Sequence, residues 1–251
     1  MDSVNISRPL AGAPLGVSDH FFAQSFNRRN AGGQINPLLM VDHFWMKRDT
    51  FGWHPHRAIS AVTYVFEDSK SAHYNYDATG NNLPIRPGSL HWMVAGSGTT
   101  HCERPEEQDA LVHGLQFFVD LPDHLKTVPP YAVHLDGEEI PEISNARARV
   151  RVVAGEYDGV KSPAKLPQPF ALYDIFLEAG GHLDVPLAAG WGGSLLSVSG
   201  EARVAAGDRA AHLAQNQAIG MQSNAENTIV TLTAEQPAHV VMLAGKIVPS
   251  N

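Results

Sequence analysis

His54-Pro55-His56-Arg57-Ala58-Ile59-Ser60-Ala61-Val62-Thr63-Tyr64-Val65-Phe66 sets two signals side by side. The run from Ala61 to Phe66 is rich in β-branched and aromatic residues and reads as a strand. Ahead of it, His54 and His56 stand two apart. On extended backbone, side chains at i and i+2 point to the same face. The pair therefore aims two imidazoles into one space, and Pro55, which lacks an N–H, puts the unit at a strand start, an edge or a bulge. His101-Cys102-Glu103 repeats the spacing. Two such units on neighbouring strands supply three imidazoles and one carboxylate, a set suited to a transition metal with open coordination positions. With 13 histidines in the chain a lone His-x-His can arise by chance. The second unit, and the strand-like sequence between the two, give it weight.

Outward from this stretch the strand pattern continues. Pro37-Leu-Leu-Met-Val41, Leu90-His-Trp-Met-Val94 and His113-Gly-Leu-Gln-Phe-Phe-Val119 read as strands, the last with Gln116 and Phe118 on one face and Leu115, Phe117 and Val119 on the other. Ile85-Arg-Pro87-Gly88 carries proline ahead of glycine, as a type II turn requires. Tyr74-Asn-Tyr76 reads as a loop. Residues 1–35 are polar and punctuated, with Gly32-Gly33 near their end. The acidic, irregular stretch around Asp136-Gly-Glu-Glu-Ile-Pro-Glu142 reads as a linker over 136–149. Strand patterns resume at Val150 and recur to Leu243. This divides the chain into an N-terminal unit, 1–135, and a C-terminal unit, 150–251. Short strands at regular spacing with turns between them indicate an all-β sandwich or jelly roll.

Composition narrows the function. The 251 residues hold 22 glycines and 17 prolines, and no long helical period appears. Acidic residues (26) exceed basic ones (18), for a net charge of −8. That argues against binding a phosphate backbone, so no direct nucleic-acid partner is expected. Cys102 is the sole cysteine; no internal disulfide can form, in keeping with a reducing compartment. It alternates away from His101 and Glu103, so it is expected buried on the side opposite the metal. Met1-Asp-Ser-Val-Asn5 has no secretory pattern, and no apolar run is long enough for a bilayer. The expectation is a cytoplasmic chain with no membrane partner.

The chain resembles the pirin family of the cupin superfamily. The likeness is carried by Asn36-Pro-Leu-Leu-Met-Val-Asp-His-Phe44, Phe51-Gly-Trp-His-Pro-His-Arg57, Asp77-Ala-Thr-Gly-Asn81, His91-Trp-Met-Val-Ala-Gly-Ser-Gly98, His101-Cys-Glu-Arg-Pro105 and His113-Gly-Leu-Gln116. It continues in Val150-Arg-Val-Val-Ala-Gly-Glu-Tyr-Asp-Gly159. The resemblance implies a bicupin, two stacked antiparallel β-barrels of jelly-roll type with few short helices. It implies one divalent transition metal, usually iron as Fe(II), in the N-terminal cupin. The ligands fall on His54, His56, His101 and Glu103, and the C-terminal cupin is metal-free. Two departures from a common pirin form are Ser60, where that form has a glutamate close to the metal motif, and Ser97, where it has an arginine.

For function the resemblance implies quercetin 2,3-dioxygenase activity on a flavonol-like aromatic substrate and O2. Glu103 would be both ligand and catalytic base, taking the 3-hydroxyl proton as the heterocycle opens and carbon monoxide leaves. The alternative it implies is a non-catalytic, redox-sensing regulator that binds a transcription factor or metabolic enzyme. Metal-bound imidazoles usually donate their other N–H to a carboxylate or carbonyl. Asp42 and His43 are candidates for that acceptor or for the cavity wall, and Gln116 is a candidate to face the pocket.

Overall fold

Four antiparallel sheets stack in layers, beside a small two-stranded sheet of Glu156–Tyr157 and Val160–Lys161, in the computed structural model, which describes residues 4–16, 18–31, 34–224 and 226–249. The first three residues and Gly32-Gly33 lie outside the described residues. The outermost layer of the first half is a four-stranded sheet in the order His54–His56, Thr99–Pro105, His73–Asp77, Leu83–Ile85. Behind it lies a seven-stranded sheet in the order Tyr131–Leu135, Leu90–Val94, Ile59–Val65, Val112–Asp120, Leu38–Met46, Phe21–Asn27, Ala13–Leu15. The main path of the third sheet runs Val4–Ile6, Gln217–Ser223, Trp191–Ser199, Ala238–Lys246, Phe170–Leu177, Ala148–Ala154, Glu142–Ser144, and Leu10–Ala11 also pairs with Gln217–Ser223. The last layer is Gly181–Leu187, Thr228–Ala234, Ala202–Ala206, Arg209–Leu213. Two 3-10 turns, Asp123–Leu125 and Gly137–Glu139, are the helical elements among the described residues. Among the described residues no helix is long and apolar enough to cross a membrane.

The all-β class holds, but the two stacked β-barrels do not. Each sheet among the described residues is an open path with two edges, and none closes on itself. The edge strands carry the reason. Ala13–Leu15 contains Pro14, His54–His56 contains Pro55, Leu83–Ile85 contains Pro84 and Gly181–Leu187 contains Pro186. A proline cannot donate to a further ladder, so pairing stops at these strands.

Alternation along the strands builds the layers. Leu115, Phe117 and Val119 of one strand join Val62, Tyr64 and Trp92 of its neighbours, facing the second half. There they pack on Val153, Phe170, Leu172, Val241 and Leu243. The sandwich of the second half is filled by another large apolar cluster, including Val152, Ile175, Val185, Val204 and Leu232. The sandwich of the first half differs. Its apolar cluster is small, with Phe21, Phe44, Met46 and Val112 among its members. The buried polar residues Asp42, Thr63, His73, Asn75, His91, His101 and Glu103 lie on strands of its two sheets. A layer that leaves polar groups where its counterpart is apolar marks the place to look for chemistry.

Local signals position these strands. Arg86-Pro87-Gly88-Ser89 closes as a type II turn: the Ser89 N–H donates to the Arg86 carbonyl at 2.9 Å and Gly88 takes φ +80°. The stretch 136–149 is less irregular than its composition suggests. Asp136 and Glu139 form a capping box on the 3-10 turn, and Glu142–Ser144 is a strand on the edge of the third sheet.

Candidate metal centre

The edge strand His54–His56 pairs antiparallel with Thr99–Pro105, placing His54 opposite His101 and His56 opposite Thr99. Alternation turns the His54 and His56 rings inward and leaves Pro55 exposed. His101 and Glu103 share the inward face of the next strand. The ligand nitrogens of His54, His56 and His101 lie within 4.8 Å of one another, so the three form a candidate site for a divalent metal. Glu103 is not part of that close set. It lines the same cavity, and its Oε1 accepts a 2.6 Å hydrogen bond from the Thr63 hydroxyl.

Hydrogen bonds set the tautomers. His54 Nδ1 donates to the Gly52 carbonyl at 2.9 Å, and His101 Nδ1 donates to Asn75 Oδ1 at 3.3 Å. Both rings thereby keep Nε2 as a lone-pair donor. His56 Nε2 and His101 Nε2 stand 3.1 Å apart. Two nitrogens that each bind one ion at about 2.1 Å and at a right angle are about 3 Å apart, so this separation fits a shared cation. Burial, then the charge of His101 and His54, pulls the His56 imidazole down to about 4. Burial, then His54, pulls His101 down to about 4 as well, against Asp77. Neutral imidazoles are the ligand-competent form. Residue types and geometry together fit a divalent transition metal.

His54 and His56, with His101 beside them, line a cavity of about 270 Å³. Much of its remaining wall is apolar, from Leu15, Phe21, Met40, Phe44, Phe51 and Phe118. Phe51 packs edge-on to Phe21 at 4.9 Å and is 50 % exposed; Trp53, beside the first metal-binding histidine, is 61 % exposed. Asp42 and Gln116 also line the cavity and are opposite one another across neighbouring strands. Burial raises the Asp42 carboxyl to about 6, against a hydrogen bond from Ser25, and one of its oxygens has no hydrogen-bond partner.

His43 does not line the cavity. It follows Asp42 on the strand and therefore takes the other face, where its Nε2 lies 2.8 Å from His113 Nε2. Ser60 likewise sits on the face of Val62 and Tyr64, opposite Thr63. The side-chain position that lost the glutamate thus points away from the cavity. Ser97 is exposed on the turn before Thr99–Pro105. Cys102 is free and buried. In the second half His182 and His212 are exposed beside Asp184 and Glu201, while His239 bonds to the buried Asp174.

Three residues of the site, His73, Asn75 and Thr63, lie outside the paired His-x-His and His-x-Glu units. Tyr74-Asn-Tyr76 is not a loop but the middle of the strand His73–Asp77, which carries Asn75 to His101 and His73 to the cavity wall. The alternation of His73, Asn75 and Asp77 was the available clue. Thr63 was hidden as one member of a β-branched run.

A family model described as pirin matches residues 15–119. Rat pirin is 31 % identical over 226 residues, spanning 87 % of this chain and 76 % of the relative. A Pseudomonas aeruginosa protein whose name provisionally assigns it quercetin 2,3-dioxygenase activity is 31 % identical over 227 residues, covering 85 % of this chain and 76 % of its own. A crystal structure of a Geobacillus kaustophilus protein superposes with a TM-score of 0.88 at 27 % identity, covering 99 % and 98 % of the two chains.

Proposed function

The chain belongs to the pirin family, and from that premise we propose that it is an iron(II)-dependent dioxygenase of the quercetin 2,3-dioxygenase type. His54, His56, His101 and Glu103 would hold the metal. The observation that carries the reading is the convergence of three imidazoles, two of which line a largely apolar cavity. The similarity to the Pseudomonas protein supports the reaction class.

When bound, the metal supplies a Lewis-acidic, redox-capable centre with open coordination positions. The chain's own residues do the rest. Gly52 and Asn75 fix two of the imidazoles in orientation. Leu15, Phe21, Phe44 and Phe118 bury a flat aromatic ligand and exclude water, which strengthens electrostatic effects at the metal end. The Glu103 carboxylate takes the proton of a ligand hydroxyl, and Thr63 holds that carboxylate by its Oε1. Oxygen uptake by the iron-loaded chain with quercetin tests the reading. Uptake should be abolished in His56→Ala. An iron-loaded, folded wild-type chain that consumes no oxygen with quercetin ends it.

A second reading, a non-catalytic binding protein that responds to the metal's oxidation state, draws support from the exposed Phe51 and Trp53 around the metal-binding strand. A protein partner captured with the Fe(III) form and not with the Fe(II) form, and lost in Trp53→Ala, is its expected signature.

A further inference from the structure

Thr63 Oγ1 lies 2.6 Å from Glu103 Oε1 and 2.6 Å from Gln116 Oε1. A hydroxyl carries one hydrogen, and neither a carboxylate oxygen nor an amide oxygen brings another. Two acceptor oxygens thus face a hydroxyl that has a single hydrogen to give. One of the two short contacts is left as lone pair against lone pair in a buried place, where such a contact is costly. Of the three groups, only the amide can exchange its donor and acceptor ends without gaining a proton. Gln116 is also free to turn, because its side chain has no other hydrogen-bond partner among the described residues.

We infer that Gln116 and Thr63 are positioning residues that lock Glu103 through a one-way chain of hydrogen bonds. In this chain Gln116 Nε2–H donates to Thr63 Oγ1, and Thr63 Oγ1–H donates to Glu103 Oε1. The backbone sets the chain up: Gln116 and Thr63 are opposite one another on neighbouring strands of the seven-stranded sheet, and Glu103 reaches them from the facing sheet. The direction matters. With Thr63's hydrogen committed by the amide behind it, Glu103 Oε1 always meets a donor. One end of the carboxylate is pinned and the other is left for the metal end of the cavity. The Thr63–Glu103 hydrogen bond bridges the two layers that the site spans. The inference rests on the reading of Glu103 as a ligand.

The test uses the full chain loaded with cobalt(II), followed by absorption titration and thermal unfolding. Thr63→Val keeps the shape and removes both ends of the relay. It should weaken cobalt affinity about 10-fold or more and shift the visible bands. Thr63→Ser restores the hydroxyl and should stay within about 2-fold of wild type. A folded Thr63→Val chain with wild-type affinity and bands, beside a Glu103→Gln chain that has lost affinity, overturns the inference and leaves the ligand reading standing. Glu103→Gln with unchanged affinity removes the ligand reading instead. A neutron structure then decides the chain by itself: deuterium on Gln116 facing Thr63 supports it, and an amide oxygen facing Thr63 overturns it.

Discussion

Asp42 sits in an environment that fits its charge poorly. It is buried, one oxygen has no partner, and its carboxyl is raised from 3.8 to about 6. A carboxyl raised in the folded state favours folding while it is protonated, below the unfolded value. That advantage is lost as pH climbs through the folded value. A shift of roughly two units corresponds to about 3 kcal/mol. Asp42→Asn should therefore match wild-type stability near pH 3.5. It should gain on wild type between pH 4 and 6 and stay ahead by about 2–3 kcal/mol at pH 8. Urea unfolding across this range reads the effect; a gain that is the same at every pH would refute the electrostatic origin. A residue kept at a cost to stability in a cavity wall is of the kind that binding sites retain.

At the level of the element, Pro55 does two things. It stops the sheet, and it sits between two inward imidazoles. Thr100, opposite it, gives its carbonyl to Ala78 N–H on the other side, so the Pro55 nitrogen faces outward. Pro55→Val would place an N–H on that open edge. Self-association measured by light scattering should rise above that of wild type, and an unchanged scattering mass at high concentration would count against the edge argument. Elements also decide what could be read in advance. The His54/His56 and His101/Glu103 spacing was legible because period two is local. So was the split of Gln116 and Phe118 from Leu115 and Phe117. Open sheets were not legible, because whether a sheet closes depends on which distant strands meet at its edges. His43 faces away from the cavity because nearness in sequence to a pocket residue is the wrong guide on a strand, where the next side chain faces the opposite layer.

Across the whole molecule, the two halves are joined by more than apolar packing. Arg151 is buried between them and donates to the Tyr64 hydroxyl at 2.5 Å, the Gly88 carbonyl at 3.1 Å and the Gly137 carbonyl at 3.0 Å. The Tyr64 hydroxyl donates in turn to the buried Asp174 at 2.8 Å. Removing the cation takes the donor from two carbonyls and from the Tyr64 hydroxyl, and takes an ion-pair partner from Glu67. Arg151→Met should cost about 3–5 kcal/mol in urea unfolding; a loss below about 1 kcal/mol would mean the network is dispensable. The ends of the chain tie the halves as well. Asn36 exchanges two hydrogen bonds with the Val248 backbone, each 2.9 Å, and Val4–Ile6 crosses to pair with Gln217–Ser223. That crossing has a consequence for synthesis. A ribosome adding about 5–20 residues per second makes Val4–Ile6 roughly ten to forty seconds before its partner strand exists. Val4–Ile6 therefore stays unpaired long after it is made, and the nascent first half must wait with its broad apolar face uncovered until the second arrives.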